Sequence, residues 1–147
     1  MKIIARLALA ALVTASALTG LARAEDLKAA KDVHISFVVH GSASDPYWSV
    51  VKRGVDDAAK LTGATVDYYA PQVFDVVEQA RLMDAAIATK PDGIAVSIAD
   101  ADALRKSVTA ALAANIPLVV VDSGEKQGAE MGTTLYVGTV SEYDSGK

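Results

Sequence analysis

The 147-residue chain carries 14 basic and 18 acidic side chains, a formal net charge of -4, with 52% hydrophobic residues and no cysteine. An acidic chain is not built to coat phosphate backbones or anionic lipid, so nucleic acid is not an expected partner. Without cysteine there is no disulfide framework; stability must come from an apolar core, and the length suits one ordinary domain.

Lys2 and Arg6 precede an apolar run over residues 7–18 broken only by Thr14 and Ser16, and Ala22-Arg23-Ala24 supplies the small-x-small pattern of a signal peptidase site. This predicts a signal peptide over residues 1–24, cleaved after Ala24. The run is shorter than the ~20 residues needed to cross a bilayer, which argues against a retained membrane anchor. Cleavage takes away three basic residues and leaves 123 residues with 11 basic against 18 acidic side chains, a net charge of -7.

Residues 25–32 are polar with scattered alanines, a leader to the fold. From His34 the pattern turns strand-like, with Ile35, Phe37, Val38 and Val39 closed by Gly41 and Ser42. Pro46 then sits where a helix tolerates it best, in the first turn, with Asp45 as N-cap. Val51, Val55, Ala58 and Ala59 recur on one helical face opposite Lys52, Arg53, Asp56, Asp57 and Lys60, and Thr62-Gly63 ends the helix. Residues 64–69, β-branched and aromatic, predict a second strand. Asp75 followed by Glu78 marks a capped helix start, with Val76, Ala80, Met83 and Ile87 as its stripe, broken at Lys90-Pro91-Asp92-Gly93.

Residues 94–98 are nearly continuous apolar sequence, as a central parallel strand covered on both faces requires. Asp100 and Asp102 precede a third helix carrying Leu104, Val108, Ala111 and Leu112, and Ala114-Asn115 leads into a fourth strand over residues 116–121. Residues 125–132 predict a polar, glycine-bearing loop, residues 134–137 a short fifth strand, and residues 141–147 the first turns of a fourth helix. Those residues are too few to complete an apolar stripe, so the chain is expected to be a truncated one. Strand and helix alternate at the period of right-handed crossover units, which predicts an α/β fold with a parallel sheet and helices on both faces. With the first strand between the second and third, the order is 2-1-3-4-5.

In such a sheet ligands bind at the carboxyl ends of the strands, where the order reverses. The first strand delivers Ser42, Ser44, Asp45, Tyr47 and Trp48 to that rim; the third delivers Ser97, Asp100 and Asp102; the fourth delivers Asp122 and Ser123. A neutral polyol suits these residues, because carboxylates accept hydrogen bonds from vicinal hydroxyls and aromatic rings cover the C–H face of a sugar. Plainer roles compete: Asp45 as a helix cap alone, Tyr47 or Trp48 as core, Asp100 and Asp102 as caps of the third helix. A carboxylate directly after an apolar strand, as at Asp122, is the hardest to assign to structure only. His34 and His40 match no metal-ligand spacing and read as structural or exposed. Gly-x-Ser-x-Gly and a glycine-rich phosphate cradle are both absent from the sequence, and no nucleophile and base present themselves, so no enzyme, metal or cofactor is expected.

Taken together, Ser44-Asp45-Pro46-Tyr47-Trp48, Lys90-Pro91-Asp92-Gly93-Ile94, the run from Ser97 to Ala103 and Ala114-Asn115-Ile116-Pro117-Leu118-Val119-Val120-Val121-Asp122 resemble the periplasmic sugar-binding proteins of the ribose-binding type. These are substrate-capturing components of bacterial ABC importers. The resemblance covers nearly all of residues 33–147, and implies that they form the N-terminal lobe of a two-lobe protein, incomplete at its C-terminal end. It also implies ligand contacts from Asp45, Tyr47, Trp48 and Asp122 and an inner-membrane permease as partner; position at the rim adds Ser42, Ser97 and Ser123 to the expected ligand contacts, the export pattern predicts a periplasmic location, and a monomer is expected. Ser123 replaces an arginine of the ribose binders and Tyr-Trp replaces paired phenylalanines, so the sugar need not be ribose. Closure of two lobes completes such a site, and a single lobe is expected to bind weakly or not at all. Two other readings share the fold: a periplasmic sensory module for a chemoreceptor or kinase, and the effector lobe of a sugar-responsive repressor. The second lacks a helix-turn-helix here and has an export pattern in its place. A phosphoacceptor receiver domain lacks its acidic pair after the first strand, where His40-Gly41 stands.

Overall fold

A five-stranded parallel sheet frames the protein, described over residues 27–42 and 44–138 of a computed structural model. Its strands are β1 (His34–Val38), β2 (Thr65–Tyr69), β3 (Gly93–Val96), β4 (Leu118–Val121) and β5 (Leu135–Val137), in the spatial order β2-β1-β3-β4-β5. This is the expected order, and each neighbouring pair is parallel. The chain leaves β1 toward one edge of the sheet and β3 toward the other, so their loops part and open a crevice above the sheet's carboxyl end.

The helices start and stop where short-range chemistry dictates. Helix α1 (Pro46–Thr62) begins with Asp45 accepting the Tyr47 N–H and ends on Gly63 at φ 77°. Helix α2 (Val76–Ala88) is capped by Asp75, which accepts the N–H groups of Val77 and Glu78 at 2.9 and 3.0 Å. Helix α3 (Ala101–Ala113) is capped in the same way by Asp100, while Asp102 pairs with Arg105 at 3.2 Å in solvent. Satisfying these otherwise orphaned N–H groups contributes about 1 kcal/mol per helix.

Side chains alternate across the sheet. Val38, Ile94, Val96, Leu118 and Val120 point to the face where Met83 and Ala86 of α2 and Leu104, Val108 and Ala111 of α3 close a buried core. On the opposite face Phe37 stacks on Tyr68 at 5.7 Å between ring centroids, and the buried Trp48 anchors α1.

Residues 125–131, expected as a loop, are helical: α4 (Glu125–Met131). Its polar sequence hides an apolar contact, for Gly128 is buried and a Cβ there would lie 2.5 Å from Val120 Cγ2. The missing side chain is what lets this helix lie against β4. Strand β3 stops at Val96, two residues short of expectation, and β4 starts at Leu118, two residues late. In the leader, Ala30–Asp32 forms a 3-10 turn, and Lys28 pairs with Asp92 at 2.7 Å, holding that carboxyl below its usual range together with the His34 N–H. The expected signal peptide and the helix from residue 141 lie outside the described residues.

Candidate functional site

Loops from β1, β3 and β4 meet at the carboxyl edge of the sheet. Because Asp45 fixes the first residue of α1, Tyr47 and Trp48 fall in its first turn and stand over the ends of the strands. Their rings are perpendicular, 5.1 Å apart, with Trp48 6% exposed and Tyr47 52% exposed. The indole lies on Gly41: a Cβ at that position would come within 1.9 Å of Trp48 Nε1. Only glycine leaves room for the ring.

Asp122, the first residue after β4, adopts φ 64°. Its N–H donates to the Val137 carbonyl at 3.0 Å and its carbonyl accepts the Tyr136 hydroxyl at 2.7 Å, so both sides of this turn are tied to β5. The carboxylate accepts a hydrogen bond from the Tyr47 hydroxyl. That bond, with partial burial and the carboxylate charge, pushes the Tyr47 phenol up to about 12. Tyr47, Trp48 and Asp122 line one cleft of about 290 Å³, whose apolar walls include Phe37, Val51 and Val121. Hollows of about 390 and 490 Å³ lie elsewhere, beside residues 70–75 and at the amino ends of β3 and β4, but neither gathers aromatic rings around a carboxylate.

The remaining expected residues take supporting positions. Ser42 Oγ lies 2.8 Å from Ser44 Oγ and accepts the Ser44 N–H, stiffening the loop before α1. Asp45 caps through Oδ1 at the surface. Ser97 is fully buried: its Oγ accepts the His40 N–H at 3.0 Å, and its carbonyl accepts Gln79 Nε2 at 2.7 Å. Ser123 donates its N–H to Val121 and accepts from Ile98 N, while its hydroxyl is sealed without a partner.

Two rim residues escaped the sequence reading. His40 lies edge-on to Trp48 at 5.0 Å and to Phe74 at 5.7 Å, with Nδ1 2.8 Å from Ser97 Oγ. Burial lowers its pKa from the ordinary histidine value, against the pull of Asp122. Its position directly after the apolar run of β1, the counterpart of Asp122 after β4, was the available signal. Phe74 comes from the loop after β2, where nothing in the sequence marks it. His34, by contrast, lies 2.8 Å from Asp67 along β1 and β2, away from this rim. Among the described residues no group of three or more His, Cys, Asp or Glu could hold a metal ion, and no helix is long and apolar enough to cross a membrane.

The sequence profile of the family described as "Periplasmic binding protein domain" matches residues 35–147. Among curated proteins none matches the chain. Solved structures do. A periplasmic sugar-binding protein of an ABC sugar transporter from Legionella pneumophila is 31% identical, with a TM-score of 0.68 over 74% of this chain and 40% of its own. A carbohydrate transporter from Acidothermus cellulolyticus 11B, in complex with myo-inositol, is 32% identical, with a TM-score of 0.71 over 78% of this chain and 39% of its own. The arabinose-binding protein AraP from Geobacillus stearothermophilus is 30% identical, with a TM-score of 0.67 over 78% of this chain and 38% of its own. The chain thus matches about two fifths of the length of each of these relatives.

Proposed function

This chain belongs to the periplasmic binding protein domain family, and from that premise we propose that it captures a small sugar or related polyol in the periplasm for a bacterial ABC importer. The observation that carries the reading is the Tyr47 hydroxyl bonded to the Asp122 carboxylate beside the Trp48 indole, within a single cleft. Tyr47 occupies one oxygen of Asp122, and the lone pairs that remain accept hydroxyl hydrogens from the ligand. Such charge-assisted bonds contribute about 1.5 to 3 kcal/mol each. Apolar ring surface from Tyr47 and Trp48 covers the C–H face of the sugar. Asp45, with its second carboxylate oxygen, and Ser42 are further contacts from the same edge; Ser97 acts from behind, by holding His40, and the sealed Ser123 hydroxyl, expected as a contact, is out of reach of a ligand. The work is capture and release, not catalysis.

Residues 33–147 supply one lobe in this reading, and a second lobe closes the other side. Residues 1–24 direct export and are cleaved after Ala24; the mature protein is a monomer that delivers its ligand to an inner-membrane permease. The myo-inositol and arabinose named for two solved relatives are neutral polyols, which supports the ligand class. Calorimetric titration of the two-lobed protein with arabinose, glucose and myo-inositol tests the proposal. A micromolar dissociation constant for one of them, about -8 kcal/mol, is expected, lost with Asp122→Ala. Failure of all three, or full affinity in Asp122→Ala, overturns it.

A further inference from the structure

His40 is a polar side chain at the rim to which sugar capture, as described so far, gives no ligand contact. Its Nδ1 lies 2.8 Å from Ser97 Oγ, and the same oxygen accepts the His40 backbone N–H at 3.0 Å. Ser97 is fully buried, and a hydroxyl has one hydrogen to give and two lone pairs to receive. With a lone pair committed to the backbone N–H, the Ser97 hydrogen finds its acceptor in the Nδ1 lone pair. Were Nδ1 protonated instead, both lone pairs of Ser97 would be filled and its hydrogen sealed in without an acceptor, an arrangement buried hydroxyls avoid. The imidazole proton therefore resides on Nε2.

The ring is also held in place. Trp48 and Phe74 meet it edge-on from two sides, at interplanar angles of 83° and 78°. Nε2 has no protein partner among the described residues and is not among their sealed polar atoms, so it reaches solvent. The charged or titratable groups facing His40 are the Asp122 carboxylate, from the end of β4, and beyond Trp48 the Tyr47 phenol on α1.

We propose that His40, fixed by Ser97 as the Nε2–H tautomer, is a specificity-determining residue that donates a hydrogen bond to a ligand hydroxyl oxygen. This rests on the reading of the cleft as a polyol site. Asp122 can only accept, so a rim built on it alone accepts any hydrogen-bond donor, an ammonium group included. Adding a neutral donor at the end of β1, separated by β3 from Asp122 at the end of β4, demands a ligand that accepts at one hydroxyl while donating at another. Burial favours the neutral ring, so the donor persists through ordinary pH.

Nitrogen-15 NMR of the imidazoles, recorded on the chain without ligand, reads the tautomer directly. Two histidines are present, and the signals lost in His40→Phe belong to His40. The expected result is an Nε2–H pattern for His40 that becomes a mixture in Ser97→Ala. On the two-lobed protein, His40→Phe keeps the ring and is expected to weaken binding of the preferred polyol by roughly tenfold, the loss of one hydrogen bond. His40→Gln, which restores a side-chain N–H, recovers part of that loss. An Nδ1–H pattern in the unliganded chain overturns the proposal, as does equal affinity in wild type and His40→Phe. If the wild type takes none of the three polyols, the capture reading itself falls and the donor role with it, an outcome distinct from equal binding by both proteins.

Discussion

Asp122 shows how one backbone angle sets the chemistry of the rim. At φ 64° it sits in a left-handed conformation that few residues other than glycine adopt, aspartate and asparagine among the more tolerant. That turn brings its carboxylate to the Tyr47 hydroxyl, which ionises only near 12 as a result. A phenol raised above its unfolded value of about 10 stabilises the fold fully below that pH, and the contribution is lost as pH rises through about 12. Asp122→Asn keeps the tolerance for the turn and removes the charge. Phenolate absorbance titration, with Tyr47→Phe as the subtraction, should show Tyr47 moving back toward 10 in that variant. Titration near 12 regardless of the residue at 122 would mean that the carboxylate is not its cause.

At the scale of elements, the helices differ in how they are held. Helix α3 buries Leu104, Val108 and Ala111 completely against β3 and β4. Leu104→Ala leaves a void that rigid neighbours cannot fill, and should cost about 2–5 kcal/mol, read as a lower denaturant midpoint at unchanged slope. A cost near zero would mean that α3 does not pack as described. The same stripe is why α1, α2 and α3 were legible in the sequence: each pairs a recurring apolar face with an aspartate cap. Helix α4 was not legible, because it is two turns long and it approaches β4 through Gly128, a residue that ordinarily argues against a helix. The site divides along a similar boundary. Tyr47, Trp48 and Asp122 could be placed from position along the chain, since strand ends of one parallel sheet share an edge. His40 carried the same strand-end signal as Asp122, whereas Phe74 owes its place to contact between loops distant in sequence, which no local pattern encodes.

At the scale of the whole molecule, the described residues present the rim as a single wall. Helices α2, α3 and α4 cover one face of the sheet and α1 the other, and the cleft of about 290 Å³ opens between α1 and the ends of β4 and β5. On the proposed reading, a sugar resting there meets the Trp48 and Tyr47 rings and Asp122 on its near side, and among the described residues no second wall faces its far side. Each hydroxyl on that far side keeps its hydration, and the near-side bonds compete with solvent that a closed site would exclude. A second lobe changes both conditions at once, adding contacts and raising the strength of those already made. On the proposed two-lobe reading, the two-lobed protein should therefore bind a polyol at least 100-fold more tightly than the 147-residue chain, a difference of about 3 kcal/mol or more. Parallel calorimetric titrations of the two proteins with the same ligand measure it. Equal affinities would show that a single wall of aromatic rings and one carboxylate is sufficient, and the two-lobed reading would have to be given up.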